Sequence, residues 1–415
     1  MEPAGKKSKK DVPKEESSEE EVEEEEEEEE ETLEKNPAVL DKHKTAARIT
    51  QDVLKHVMKL CVAGADIADI CLEGDKKIEE ETVKVYTSKK SKVTEKGIAF
   101  PTCIGVNEIC GHFSPLKDES RKLADGDLVK IDLGCHIDGF IAQVTHTMVV
   151  GATKEKKVTG KKADVIVATH KAFEAALRLL KEGNMNHQIT KMISQISGAY
   201  KTNPVEGVLS HQVKKHMIDG DNVIINKETT DQKVEEHKFE RYEVYVLDVI
   251  LSTGEGKPKE TDARTTVYKR ALETAYSLKL KHSRQFFHTI SEKHPTMPFS
   301  IASLKDATSA RVGVMECINH DLLHMYPVLT EKAGEFVAQF KATVVLLPAG
   351  TMVINETPFE EELYETTYKI EDKAVLDLLA QSLDRKKDKK AAKAEKKEEK
   401  APAATTAAPV EEAKK

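Results

Sequence analysis

The stretch from residue 128 to residue 150 constrains the fold more than any other. Val129, Ile131 and Leu133 alternate with Leu128, Lys130 and Asp132, which is the period of a strand, and a second β-branched run follows from Phe140 to Val150. Asp138-Gly139 between the two runs predicts a hairpin, because both residues tolerate the positive φ that a two-residue turn demands. With the turn centred near Ile137 and Asp138, Asp132 and Gln143 are expected opposite each other on one face. Two carboxylates at that separation would clamp a divalent ion, whereas one carboxylate and one neutral amide clamp it far less well. Taken alone, the hairpin reads more simply as a strand pair with an occasional polar residue on its wet face.

The 415 residues are enough for a large core. The net charge of −9 hides an uneven distribution: residues 1–35 hold 17 acidic and 6 basic side chains, and residues 384–415 hold 7 acidic and 11 basic ones, which leaves the body at −2. Nucleic-acid contact therefore has to use local patches and not overall charge. Twelve of the thirteen residues from Glu19 to Glu31 are glutamate, so residues 1–36 are expected to form a disordered acidic arm. The six cysteines, at 61, 71, 103, 110, 135 and 317, include no Cys-x-x-Cys pair, which suggests reduced thiols in an intracellular compartment. No run approaches the roughly 18 apolar residues of a membrane span.

In chain order, Ile49, Val53, Val57 and Leu60 recur at helical spacing, and a second helical pattern runs through Ile67, Ile70 and Ile78. Lys84, Lys89, Lys90, Lys92 and Lys96 mark a basic loop, and residues 97–102 read as extended. Lys154, Lys156, Lys157, Lys161 and Lys162 are expected in a second basic loop, ahead of helical patterns over 165–180 and 187–196. Residues 214–241 read as irregular, 242–251 as a strand carrying Asp248, and 252–256 as a turn more than a phosphate cradle. Helical patterns follow around 276–290 and 307–323. Residues 336–347 form a strand on which Val337, Gln339, Lys341 and Thr343 share one face. A short helix over 370–383 and a disordered Ala/Lys/Glu tail close the chain. Hairpins alternating with helix pairs, once before residue 200 and once after, predict a duplicated α/β (α+β) architecture.

Phe100-Pro101-Thr102 with His112, the run Lys130-Ile131-Asp132-Leu133-Gly134, Ser210-His211, the strand from Glu243 to Asp248, and Ala338-Gln339-Phe340 resemble, in order, the type-2 methionine aminopeptidases. The fuller phrases 97–102, 112–117, 125–134 and 334–341 resemble the proliferation-associated, ErbB-receptor-binding protein family, also called curved-DNA-binding proteins. The resemblance implies a pseudo-symmetric "pita-bread" domain over 37–370 with a helical insertion at about 255–330. It also implies a vestigial metal pocket in which Asp132 and His211 keep the ligand residue, Asp248 stands for a glutamate, Gln143 for an aspartate and Lys341 for a glutamate. His112 matches a substrate-contacting histidine, and a second such histidine falls on Asp219. A pocket holding an ammonium where a carboxylate should be is not expected to take a metal or any other cofactor, or to catalyse hydrolysis.

The function so implied is non-catalytic: binding of ribosomes, at the large subunit, and of structured RNA, in ribosome biogenesis and translation control, in cytoplasm and nucleolus. An active or single-metal aminopeptidase and a peptide-binding scaffold are the alternatives. DNA, other proteins as partners, and the oligomeric state stay open, and no membrane partner is expected. The candidate phosphate-contacting groups are Lys89, Lys90, Lys92, Lys154, Lys156 and Lys157, with Lys257, Lys259, Lys269, Arg270, Lys281 and Arg284 near the insertion. Tyr86 and Tyr268 are the sparse aromatic neighbours, so shape and phosphate contacts are expected over base stacking.

Overall fold

Seven strands hydrogen-bond into the path on which the molecule is built: Lys96–Val106, Leu128–Ile137, Phe140–Val149, Val337–Leu347, Val244–Ser252, Leu209–Gln212 and Val223–Ile225. The structure is a computed structural model; it describes residues 31–88, 91, 93–304, 307–355 and 359–383, without the side chains of 307–309. Lys89, Lys90 and Lys92, the acidic arm up to residue 30 and the tail from 384 lie outside the described residues.

Helices cover the sheet in two pairs, which gives the two-half architecture that the hairpin and helix alternation predicts. Helices α1 (Ala38–Leu60) and α2 (Ile67–Val83) bury Ile49, Val53, Val57, Ile70 and Ile78 against the Lys96–Val106 strand and the hairpin. Asp66 starts α2 by accepting the amides of Ala68 and Asp69, which satisfies backbone donors that a helix start otherwise leaves exposed. Helices α3 (Lys161–Leu179) and α4 (Asn186–Ala199) bury Ile166, Phe173, Ile189 and Ile193 in one core, α3 lying on Val244–Ser252 and Val337–Leu347 and α4 on α3 and Val223–Ile225. Each such aliphatic side chain contributes about 1.5–3 kcal/mol by leaving water. Because both sheet faces are covered at the centre, every residue of Leu128–Ile137 and Val244–Ser252 is buried.

The hairpin turns at Asp138 and Gly139, both at positive φ, and pairs Ile137 with Phe140. That turn lies one residue later than the expected centre, so Asp132 faces Thr145 and Gln143 faces Gly134. Asp132 and Gln143 share a face but sit diagonally, two residues apart in register. Gly139→Ala is expected to destabilise the fold by at least ~1 kcal/mol in urea denaturation. The new methyl would stand 2.6–2.7 Å from three ring atoms of His216 at a φ of 77°. An unchanged midpoint would mean that the turn adopts another form at no cost.

The segment 255–330 carries helices α5 (Lys281–Lys293) and α6 (Ala307–Asn319), and adds short strands that the helical expectation omitted. Val267–Arg270 pairs with Phe299–Ser300 and Leu323–Tyr326, and Phe286, Ile290, Phe299 and Val314 fill a small core of their own. The chain ends its described part in α7 (Lys373–Leu379), which docks Val375 and Leu378 on the α3 side. Lys161 and Lys162, expected in a loop, are the first residues of α3. Among the described residues no helix is long and apolar enough to cross a membrane.

Candidate functional site

Four central strands and the segments around them line a cavity of about 370 Å³. Asp132 and Gln143 come from the hairpin, Asp248 from Val244–Ser252, and Gln339 and Lys341 from the neighbouring Val337–Leu347 strand. Phe100, His112, His211, Ile218, Tyr326 and Leu329 complete the wall. All six sequence-nominated pocket residues, His112, Asp132, Gln143, His211, Asp248 and Lys341, therefore converge on one space. Asp219 also lines it.

Lys341 occupies the middle. It pairs across the sheet with Asp248 on one side and with Thr145 on the other. Its Nζ lies 2.9 Å from Asp132 Oδ2 and 3.3 Å from Asp248 Oδ2, with all three side chains 10–12% exposed. Burial works against the ammonium, but the Asp132 and Asp248 charges and their hydrogen bonds outweigh it and raise its pKa. Burial likewise raises the Asp248 carboxyl, opposed by Lys341. Gln339 Nε2 donates to both Asp248 oxygens, at 2.8 and 2.9 Å. Asp248 is thus fully served, whereas Asp132 Oδ1 and the Thr145 hydroxyl are buried without a partner.

Both histidines are anchored through Nδ1. His112, at a φ of 62°, contacts the Pro327 carbonyl at 3.0 Å, and His211 contacts that of Gly220 at 3.1 Å. A carbonyl only accepts, so Nδ1 carries the proton and Nε2 is left as an acceptor. Burial pushes the His112 imidazole below its ordinary pKa. Asp219 holds Lys269 with both carboxylate oxygens at 2.6 Å.

The metal that a metallopeptidase would use does not fit these donors. An ammonium lies between the two carboxylates, and Gln143 supplies no charge. Among the described residues no group of three or more His, Cys, Asp or Glu side chains could hold a metal ion. A unit charge about 4 Å from a divalent ion interacts by roughly 8 kcal/mol at an effective dielectric near 20, so an ammonium in place of a carboxylate reverses a large attraction.

The sequence of the body matches the model of metallopeptidase family M24 over residues 41–250. Proliferation-associated protein A of Dictyostelium discoideum is 43% identical over 357 residues, covering 86% of this chain and 91% of that protein. ERBB-3 binding protein 1 of Arabidopsis thaliana is 46% identical over 353 residues, covering 85% and 88%. The chain belongs to family M24, in its proliferation-associated, ErbB-receptor-binding branch. A solved structure of a thermophilic Arx1 superposes with a TM-score of 0.79 at 31% identity, covering 84% of this M24 chain and all of the other. The pita-bread fold of the branch is the one built here, a central sheet covered by two helix pairs.

The basic candidates separate by environment. Lys257, Lys259, Lys281 and Arg284 are exposed. So are Lys154, Lys156 and Lys157, two of them in open ion pairs, Lys154 with Glu362 and Lys156 with Asp125. Lys269 and Arg270 do not fit an RNA-contacting role. Lys269 is 14% exposed in its side chain and held by Asp219. Arg270 is half-buried, donates to the Pro295 carbonyl and lies over the Phe287 ring. Both stand on the Val267–Arg270 strand, where alternation places side chains but says nothing of what covers them.

Sequence reasoning missed three groups. Gln339 was legible as a neighbour of Lys341 on one strand face, but not as the partner of Asp248. Tyr326 and Leu329 close the cavity from the end of the insertion, and no local pattern announced them. The turn after Ser252 holds an internal anion: the buried Glu331 carboxylate accepts from Gly256 N at 2.5 Å and Ser252 Oγ at 3.0 Å. That carboxylate fills the space a phosphate cradle would need.

Proposed function

We propose that this chain is a non-catalytic M24 protein that binds ribosomes and structured RNA, at the large subunit, in ribosome biogenesis and translation control, in cytoplasm and nucleolus. The observation that carries the loss of catalysis is Lys341 Nζ at 2.9 and 3.3 Å from Asp132 and Asp248. A hydrolase of this family needs those carboxylates free to hold an activated water through metal, and here they neutralise a lysine. This argues against the single-metal aminopeptidase. Support for RNA comes from the family resemblance and from the exposed basic side chains. Surface ion pairs such as Lys154–Glu362 are weak in solvent, so turning those lysines to phosphates costs little. Lys89, Lys90 and Lys92 join them as sequence candidates.

Two measurements test this reading. Purified protein supplied with cobalt, manganese or zinc is expected to bind no stoichiometric metal and to release no methionine from a Met-Ala peptide. Turnover comparable to an ordinary aminopeptidase would overturn the pseudoenzyme reading. Ribosome co-sedimentation across a salt series is expected to weaken steeply with salt. Reversing Lys89, Lys90 and Lys92 to glutamate, or Lys154, Lys156 and Lys157, should lower the slope by roughly 0.7–0.9 per lost phosphate contact. Wild-type affinity and slope in both variants would mean that these lysines are solvated surface only.

A further inference from the structure

The insertion carries an apolar surface that the described residues leave open. Val312 and Met315 lie one turn apart on the outer side of α6, opposite the buried Ala310, Val314 and Cys317. Leu280 borders them, because Glu316, which follows Met315 and lies one turn beyond Val312, accepts the amides of Lys279 and Leu280 at 2.9 and 3.4 Å. Leu280, Val312 and Met315 are each more than half exposed. Arg311, one turn before Met315, edges a groove of about 490 Å³ that Leu72 of α2, Pro115, Leu116 and Ala302 also line. Single exposed aliphatic side chains are ordinary, but a row of them beside a groove is a form in which proteins present a docking surface.

We propose that this face docks an acidic amphipathic helix from another protein, with apolar anchors on Val312 and Met315 and in the groove, and carboxylates toward Lys279 and Lys281. Charge selects the partner. Along the groove the charges are matched within the chain, Arg311 with Asp118 at 3.0 Å and Lys117 with Asp69 at 2.5 Å, so that side asks for an apolar anchor. On the Leu280 side they are not matched: residues 276–291 contain Lys279, Lys281 and Arg284, all exposed, and no Asp or Glu. The carboxylate of Glu316 nearby is engaged with backbone amides. A second copy of this chain would bring like charges face to face. RNA would meet the lysines, but Leu280, Val312 and Met315 offer its bases no ring to stack on and would stay wet. A helix with apolar residues on one stripe and carboxylates beside it covers both kinds of group at once. The proposal is independent of ribosome binding through residues 89–92 and 154–157, and it gives Lys281 a protein carboxylate in place of a phosphate.

Selection of a displayed library of random peptides on the full chain, followed by fluorescence anisotropy with the most enriched peptide, tests the proposal. Enriched sequences are expected to repeat apolar residues at helical spacing with an excess of Asp and Glu. The double variant Val312→Ser with Met315→Ser should weaken that peptide at least about tenfold, since it truncates two central anchors. Lys279→Glu with Lys281→Glu should weaken it comparably and flatten its salt dependence. These side chains are exposed, so the urea midpoint is expected to stay at the wild-type value. Should the midpoint move, Leu72→Ser on the α2 wall of the groove carries the same test from outside the insertion. No enriched peptide, a consensus without acidic excess, or full affinity in the variants would overturn the proposal. Phosphatidylserine vesicles and a ribosomal RNA fragment are the competing occupants: binding of either one that Val312→Ser with Met315→Ser abolishes would assign the face to that ligand and overturn it as well.

Discussion

Lys341→Met is expected to lower the unfolding free energy by about 3–5 kcal/mol, the cost of leaving buried carboxylates without their counter-ion. The two carboxylates flank Lys341 from strands that Phe140–Val149 and Val337–Leu347 separate, with Asp132 9% and Asp248 8% exposed. Without the ammonium one of them has to take up a proton or draw in water, and the strand pairing of Val337–Leu347 with Val244–Ser252 is loosened where they meet. The triple variant Lys341→Met with Asp132→Asn and Asp248→Asn should recover most of the loss, because a buried ion triad replaced by neutral groups of similar shape is close to neutral in stability. Urea denaturation of the three proteins separates the readings. A single variant with the wild-type midpoint would mean that the lysine reaches solvent and that the pairing is not structural.

The protein is expected to lose stability steeply between pH 6.5 and pH 4, chiefly through histidines buried in the neutral form. Burial holds His43, His136 and His146 at about 4 against an ordinary value of 6.5. As pH falls below 6.5 the unfolded chain takes up these protons and the folded chain does not, so stability is present above that window and drains away down to about pH 4. At 1.36 kcal/mol per unit each histidine contributes roughly 3 kcal/mol over the full window. Asp75 works the other way. Burial raises its carboxyl to about 7, so between pH 4 and 7 it is the unfolded chain that gives up the proton first, and acidification favours the fold at that residue. Asp75 offsets roughly the share of one such histidine, and His170 and His294, also held at about 4 by burial, add to the loss. His146→Phe isolates the effect, since His146 Nδ1 has no partner and the ring sits edge-on to Phe340 at 5.6 Å. Unfolding curves at pH 7 and pH 5 should lie closer together in this variant than in wild type. An equal separation would mean that His146 is already charged, or hydrated, in the folded state.

Much of this site could be read in the sequence because strands encode their faces locally. The period of two put Asp132 with Gln143 on one hairpin face, and Gln339 with Lys341 on one face of residues 336–347. The lysine at position 341, where the peptidase resemblance implies a carboxylate, announced the charge reversal before any coordinates. Periodicity also placed the two helix pairs, since Ile49, Val53 and Val57 must leave water together. The one-residue error in the hairpin came from the turn: Asp138 and Gly139 are the two central residues, and a shift of that centre moves every cross-strand partner.

What the local pattern determined was which side chains share a surface; what only the tertiary structure decided was how deep that surface lies and who meets there. Lys341 and Asp132 are 209 residues apart in the chain, and their contact exists because the two halves of the sheet join at Phe140–Val149 and Val337–Leu347. A polar strand face reads as solvated in sequence, yet Tyr326 and Leu329 from the end of the insertion and Val208 and Leu209 from the other half roof it over. The same holds for Lys269 and Arg270, which read as free surface charge until Asp219 and the Phe287 ring are seen beside them. Face is a property of backbone geometry, repeated every two residues and carried by the residues themselves. Burial and pairing depend on elements distant in sequence, because desolvation and Coulomb energy are set by whatever atoms lie within a few ångströms in space.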